Sequence, residues 1–143
     1  MADIVHDFPI KATAQRVFRG ISTPEGLDTW WTKKSAGIPA LGNEYALWFG
    51  PDYDWRAVVS RCVPGKEFEL RMTRAQEDWS PTRVGFDLEE KNGVTQVRFH
   101  HLGWPEPNEH FRISCYCWAM YLRHLKRNIE TGIVVNYEDR LDV

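Results

Sequence analysis

The chain has 143 residues, of which 27% are charged, and a formal net charge of −2 at pH 7. This length is most simply one domain, residues 1–143, with a hydrophobic core of its own. The near balance of charges argues against nucleic acid as a partner. The longest apolar run, residues 115–122, is far too short to cross a bilayer, so no membrane insertion is expected. Three cysteines and no secretory signal predict a reducing, cytoplasmic location.

The chain opens with a strand and two short helices. Residues 4–10 alternate between apolar and polar side chains, as a strand does. Thr13 is a suitable N-cap for a helix over Ala14–Ser22, and Thr23 followed by Pro24 predicts the start of a second short helix. That helix carries three apolar residues at i, i+3 and i+4, namely Leu27, Trp30 and Trp31.

Short alternating runs separated by turn signals then predict an antiparallel sheet. Asn92-Gly93 is a strong signal for a two-residue hairpin. Together with the opening strand, the runs predict about seven strands, with the other six at residues 34–38, 44–49, 55–62, 67–73, 82–90 and 94–102.

Alternation also assigns the two faces of this sheet. Phe68, Leu70 and Met72 fall on one face, and the charged residues between them fall on the other. We interpret the charged face as a solvated surface without a function. In the strand over 55–62 the register is ambiguous; if Trp55, Ala57 and Val59 point inward, the guanidinium of Arg61 does too.

A helix over residues 108–131 closes the fold and ends at Gly132. One apolar stripe runs along it, formed by Phe111, Cys115, Trp118, Leu122, Leu125 and Ile129. A helix of some 24 residues spans roughly 36 Å, so it must lie across something broad. The sequence therefore predicts an α+β fold in which a curved sheet wraps this helix and leaves a lined space. Residues 133–143 are either a frayed tail or an extension that packs on a neighbour.

The sequence resembles the START-like or SRPBCC superfamily, which has the helix-grip fold of the birch-pollen allergen. Within it, the chain is similar to the group related to the C-terminal domain of the heat-shock-protein ATPase activators. The segments that carry the likeness are 10–31, 63–70 and 118–132. The resemblance implies a hydrophobic cavity for lipids, sterols, polyketides or other apolar molecules. In the activators a separate N-terminal domain accompanies this one, and its lack here argues against a chaperone-activating role.

The residues that most often bind metals do not have the spacing of a site. Adjacent residues on a strand point to opposite faces, which separates His100 from His101. Cys115 and Cys117 are about 200° apart around a helix. No nucleophile elbow or phosphate-binding glycine loop is present. We therefore expect no metal and no cofactor, and we assign no catalytic residue.

Binding residues are instead expected on the apolar face and on the closing helix. His101 continues the apolar face at the end of a strand, where it is either a core residue or a group that orients a ligand. Tyr121 flanks the helix stripe and presents a hydroxyl. The predicted ligand-binding residues are Trp30, Trp31, Tyr45, Phe49, Phe86, Phe99, His101, Trp104, Cys115, Trp118, Tyr121 and Leu122.

The favoured function is binding of a small hydrophobic or amphipathic ligand between the sheet and the closing helix. One alternative is a cyclase or dehydratase that uses the same cavity, with His101 as acid or base. Another is a protein-interaction module of the chaperone-activator type, whose functional surface would be external. The sequence leaves open a protein partner or a homodimer.

Overall fold

The structure of the protein, a computed structural model, describes residues 2–142. In chain order its elements are β1 (Ala2–Ile10), α1 (Ala14–Ser22), α2 (Pro24–Leu27), β2 (Lys34–Ala36), β3 (Glu44–Trp48), β4 (Asp54–Val63), β5 (Glu67–Arg74), β6 (Arg83–Lys91), β7 (Val94–Trp104) and α3 (Glu109–Thr131). A single 3-10 turn, Tyr137–Asp139, follows α3.

The strands form one antiparallel sheet of seven strands in the order β1-β7-β6-β5-β4-β3-β2. This confirms the predicted α+β helix-grip fold. Asn92 and Gly93, at φ 55° and 79°, form the predicted hairpin turn between β6 and β7. The strand boundaries differ from the predicted ones by two residues at most; β7, for example, continues past residue 102 to Trp104, because residues 2 and 104 still pair across β1 and β7. The placement of Trp30 and Trp31 on the second helix is wrong, since α2 ends at Leu27 and both residues lie in the turn that follows it.

Side-chain caps and buried hydrogen bonds fix α1 and α2 against the sheet. The Thr13 hydroxyl accepts from the Arg16 amide at 3.3 Å, and the Thr23 hydroxyl accepts from the Gly26 amide at 3.0 Å. From β3, the buried Tyr45 hydroxyl donates to the carbonyl oxygen of Ser22 at 2.5 Å. The end of α1 therefore cannot slide along the sheet without breaking a buried hydrogen bond.

α3 begins and ends where the sequence predicts. The Asn108 side chain accepts from the Phe111 amide at 3.0 Å, and Gly132 closes the helix in the left-handed region at φ 79°. The stripe predicted to face the sheet is confirmed: Trp118, Leu122, Leu125 and Ile129 are buried, while Phe111 and Cys115 are half-buried against the core.

The inward position of Arg61, expected if Trp55, Ala57 and Val59 pointed inward, is wrong. Ala57 and Val59 are buried, as the alternation required, but the pairing of β4 with β5 shifts by one residue between Val59 and Arg61. This bulge sends the guanidinium to the outer face, where it donates to Asp87 at 3.0 Å and to Glu67. Cys62 consequently packs against the core.

The interpretation of the outer face as wholly solvated is also wrong. Glu69 and His100 lie on that face and are only 2% and 6% exposed. His100 Nε2 lies 2.8 Å from the Glu69 carboxylate, which also accepts from Ser60 at 2.8 Å. Burial raises the pKa of Glu69, but the hydrogen bonds from His100 and Ser60 outweigh it and hold that pKa below its usual range. A Cβ at Gly85 would lie 2.6 Å from His100 Nε2, so glycine leaves room for this pair.

His101 lies on the inner face and has no exposed surface. The Trp118 indole donates to His101 Nδ1 at 3.0 Å, so Nδ1 accepts and Nε2 carries the proton. Nε2 lies 2.8 Å from the Thr82 hydroxyl, which itself donates to the carbonyl oxygen of Trp79. Both ring nitrogens are therefore used within the core. Burial lowers the pKa of His101 to about 3, and the ring is neutral.

The described part of the C-terminal segment, residues 133–142, packs on the fold rather than fraying. Arg140 is buried, and its guanidinium donates to the carbonyl oxygens of Asp28 at 2.6 Å, Thr32 at 3.1 Å and Val135 at 3.0 Å. Its own carbonyl oxygen lies 2.6 Å from His124 Nε2 on α3. One residue thus joins the segment to both α2 and α3.

Truncating the middle of the α3 stripe should destabilise the fold. Leu122 is 3% exposed, so Leu122→Ala should lower the free energy of unfolding by about 2 to 5 kcal/mol. Tyr116 on the same helix is 68% exposed, and Tyr116→Ala should change it by less than about 0.5 kcal/mol. Urea denaturation of both variants checks this; equal losses would mean that the stripe is not the buried face.

His101 should make stability depend on pH. The pKa is about 3 in the folded protein against an ordinary 6.5, so between these values the unfolded chain binds a proton that the folded chain does not. Stability is then retained above the ordinary pKa and falls as the pH drops below it, by about 1.4 kcal/mol per pH unit from this group. Denaturation from roughly pH 7 to pH 5 should show a shallower pH slope in His101→Gln. Identical slopes would refute a buried neutral imidazole.

Candidate functional site

A cavity of about 510 Å³ opens beside the N-terminal half of α3. This volume is within the range of small-molecule sites. Four parts of the chain border it: α3, the turn after α2, the β3–β4 and β5–β6 connections with the adjoining strand ends, and the C-terminal segment. The residues that line it are Trp31, Phe49, Tyr53, Trp55, Gln76, Trp79, His110, Ile113, Ser114, Cys117, Trp118, Tyr121, Tyr137 and Leu141.

The centre of the sheet–helix interface, by contrast, is filled by aromatic rings. The Trp118 ring lies 4.5 Å from Phe99 and 6.5 Å from Trp30 between centroids, and Trp30 meets Phe86 edge-on at 6.0 Å. Thus the space occupies one end of the interface and does not extend along the whole helix.

A continuous belt of aromatic rings forms one side of the cavity. Successive centroids lie 5.6 Å apart from Trp31 to Phe49, 5.0 Å from Phe49 to Trp55, and 4.9 Å from Trp55 to Trp79. Trp79 then stacks on Trp118 at 5.7 Å, with 25° between the planes. The planes of the first three pairs are inclined by 50° to 61°, so the belt presents ring faces and ring edges, and both favour contact with an apolar, aromatic ligand.

A second stripe on α3 faces the cavity, and every member carries a polar atom. Its residues, His110, Ser114, Cys117 and Tyr121, are spaced at i, i+4, i+7 and i+11, so they share one side of the helix. This spacing is present in the sequence, but the more pronounced apolar stripe on the neighbouring face of the helix was the one used for the prediction. In the described chain, the Ser114 and Tyr121 hydroxyls have no protein hydrogen-bond partner.

The polar stripe is uncharged apart from any proton on His110. Burial raises the pKa of Tyr121 to about 12 and raises the pKa of the Cys117 thiol. Both groups therefore stay protonated near neutral pH. Within residues 2–142, the cavity lining contains no Asp, Glu, Lys or Arg. The site consequently offers hydrogen bonds and no fixed charge.

One histidine of the lining is paired with a carboxylate. His110 Nδ1 lies 3.1 Å from the Asp78 carboxylate in the β5–β6 connection, and the Asn108 side chain donates to the same oxygen at 3.3 Å. The Trp104 ring meets His110 edge-on at 5.3 Å. These contacts hold the imidazole at the edge of the cavity.

The structure divides the twelve predicted binding residues into three groups. Trp31, Phe49, Trp118 and Tyr121 line the cavity. Cys115 points away from it, with its sulfur 3.8 Å from His6 Nε2 on β1. The remaining seven pack in the core and do not line this space: Trp30, Tyr45, Phe86, Phe99, His101, Trp104 and Leu122.

Two further features bear on the kind of site. Residues 2–142 contain no group of three or more His, Cys, Asp or Glu side chains that could hold a metal ion. None of the helices in that part of the chain combines the length and the apolar character that a membrane span requires.

Comparison with solved structures finds the same fold in several proteins. The Aha1 dimer from Colwellia psychrerythraea superposes with a TM-score of 0.82 at 28% identity, covering 92% of this chain and 98% of that one. Protein SSP2350 from Staphylococcus saprophyticus gives 0.78 at 17% identity over 94% and 96% of the two chains. CalU16 from Micromonospora echinospora gives 0.71 at 18% identity over 98% and 83%.

A search of curated proteins found no match. Residues 11–130, however, match the family described as Activator of Hsp90 ATPase homolog 1-like protein. That match covers most of the chain and overlaps all three segments on which the START-like resemblance rests. The chain belongs to the family of Activator of Hsp90 ATPase homolog 1-like proteins.

Proposed function

We propose that this protein binds a planar, mostly apolar small molecule that carries a hydroxyl or carbonyl group. The observation that carries the proposal is the cavity of about 510 Å³ with its belt of aromatic side chains. A ligand there would remove the belt and its own apolar surface from water, which is favourable in proportion to the apolar area buried.

The arrangement of polar atoms supports an amphipathic ligand. Ser114 and Tyr121 lie on α3, whereas Phe49 and Trp55 come from the sheet. A hydroxyl or carbonyl directed toward α3 would find hydrogen-bond partners, and the rest of the molecule would contact the rings. A fully charged ligand would lose its hydration without gaining an opposite charge, and the site disfavours it.

The C-terminal segment is part of the proposed site. Tyr137 and Leu141 line the cavity, and the guanidinium of Arg140 between them holds the segment against α2. Burial holds the pKa of the Arg140 guanidinium below its usual range, and its hydrogen bonds are to neutral carbonyl oxygens. The segment therefore stays in place through hydrogen bonds and packing, without a buried carboxylate.

A homodimer and a cytoplasmic location remain part of the proposal. The Colwellia psychrerythraea relative is described as a dimer, which supports a second copy of this chain as partner. The three cysteines are free, in keeping with a reducing compartment. No contact among the described residues specifically supports the chaperone-activator role, and none specifically supports a lipid as the ligand.

A neutral aromatic dye tests the binding proposal. N-phenyl-naphthylamine should bind at about one site and quench tryptophan emission, because Trp31 and Trp79 lie on the cavity wall. Binding should survive about 1 M salt, since apolar burial is not screened by ions. Absence of saturable binding to the folded protein would reject the proposed function.

Filling the cavity from α3 should block the dye. Cys117→Phe places a ring into the space and should lower affinity, at an overpacking cost of about 1 to 3 kcal/mol in stability. Cys115→Phe is the matched control, because Cys115 faces β1 instead and its substitution should leave affinity unchanged. Equal effects of the two substitutions, in variants shown to be folded, would place the dye elsewhere.

Releasing the C-terminal segment should weaken binding and expose the segment. Arg140→Ala removes the donors to Asp28, Thr32 and Val135, so Tyr137 and Leu141 should leave the cavity wall. Hydrogen exchange should become faster over residues 133–142, and dye affinity should fall. Arg98→Ala, which removes an exposed ion pair with Asp7 between β7 and β1, serves as the control and should change neither.

A further inference from the structure

We propose that His110, held by Asp78, acts as a general base on a ligand in the cavity. The substrate class is a flat carbon acid, a molecule with an acidic C–H next to a carbonyl or in an activated ring. The reaction is proton transfer that leads to isomerisation or elimination. This inference rests on the proposed function, because the reacting molecule must first occupy the aromatic cavity.

The pairing with Asp78 determines which nitrogen can act. An ionised carboxylate only accepts hydrogen bonds, so the His110 nitrogen 3.1 Å from Asp78 is Nδ1–H. In the neutral ring the lone pair is then on Nε2. Within residues 2–142, Nε2 has no hydrogen-bond partner. This nitrogen is also not among the buried polar atoms, so it is accessible. A base with its lone pair open and its other nitrogen held is ready to accept a proton.

The supports of this pair come from three separate elements. Asp78 lies in the β5–β6 connection, and Asn108, which caps α3, donates to the same carboxylate oxygen at 3.3 Å. Trp104 at the end of β7 packs edge-on against the imidazole at 5.3 Å. Such fixed geometry lowers the entropic cost of proton abstraction, because the base is already positioned before the transition state is reached.

Hydroxyl donors for the charge that develops lie on the same helix face. Ser114 is one turn beyond His110, and Tyr121 follows two turns later. Tyr121 keeps its proton up to about pH 12, so it cannot replace His110 as the base, and Ser114 is the hydroxyl nearer to His110 along the helix. Donors aimed at a developing oxyanion in an apolar site provide much of the catalysis in such reactions.

The proton transfer is balanced without any further reactant. His110 Nε2 takes the C–H proton, the electron pair of that bond forms a carbon–carbon double bond, and the π pair of the carbonyl moves onto its oxygen, which accepts from a hydroxyl of the stripe. In an isomerisation, the imidazolium returns the proton to another carbon or to the oxygen. In an elimination, the enolate re-forms the carbonyl and expels a group on the neighbouring carbon with its bonding pair, and the imidazolium gives the proton to that group. Both routes restore the neutral ring. No oxidant, reductant or water is consumed.

The buried histidines are not arranged for this role. His124 Nε2 lies 2.6 Å from the carbonyl oxygen of Arg140. His101, the base of the predicted enzyme alternative, has both ring nitrogens bonded in the core. His100 lies on the outer face of the sheet, where Glu69 holds its Nε2. His110 is the histidine that lines the cavity in the described chain.

Nitrobenzisoxazole is a suitable probe for such a base, because it is flat and reacts by loss of one ring proton. The base takes the C–H proton, that electron pair forms the third bond of a nitrile, and the N–O bond breaks to release a coloured phenolate. We expect the protein to catalyse this elimination and His110→Gln to lower kcat by about 100-fold or more. Asp78→Asn should lower kcat less, with a changed His110 tautomer in its nitrogen NMR shifts.

The matched control is His6→Gln, which alters a histidine on β1 outside the cavity lining and should leave the rate unchanged. Binding of the probe is measured separately by tryptophan quenching. If the probe binds and His110→Gln reacts as fast as the parent, the general base is refuted and the binding site stands. If neither the probe nor the dye binds, the proposed binding function itself is rejected.

Discussion

The hydrogen bond from the Trp118 indole to His101 Nδ1 joins α3 to the sheet, and the rest of the interior is arranged around it. It is 3.0 Å long and buried, and the second ring nitrogen of His101 is bonded to Thr82. Breaking it would leave a donor and an acceptor unpaired in an apolar core. The bond therefore fixes the position of the Trp118 ring, which packs on Phe99 and Trp31 and also forms part of the cavity wall.

Periodicity and turn chemistry were sufficient to predict the fold from the sequence. The α3 stripe, its caps at Asn108 and Gly132, and the Asn92-Gly93 turn are local signals, and each was confirmed. The outward position of Arg61 was not predictable from alternation, because the bulge between Val59 and Arg61 adds a residue without a characteristic sequence. The burial of Glu69 was also missed, since it depends on the pairing with His100 on another strand.

The site was harder to predict than the fold, because a cavity is what packing leaves unfilled. Trp30 and Trp31 are adjacent and equally apolar, yet Trp30 fills the core and Trp31 lines the space. Both rings contact Trp118, but Trp30 also meets Phe86 in the core whereas Trp31 meets Phe49 at the cavity, and no local pattern specifies these neighbours. The polar stripe through His110 and Tyr121 did have a readable spacing. Its pairing with Asp78 joins residues 32 positions apart and could not be read from periodicity.

The position of the cavity at one end of the interface separates two kinds of evolutionary change. Its borders are the strand ends, two connections and the C-terminal segment, while the central rings of Trp30, Phe86 and Phe99 do not touch it. Substitutions at the borders can reshape the space without entering the densely packed centre. Lineages with this fold can therefore diverge in ligand while keeping one folding core, and sequence divergence should accumulate faster around the cavity than beneath it.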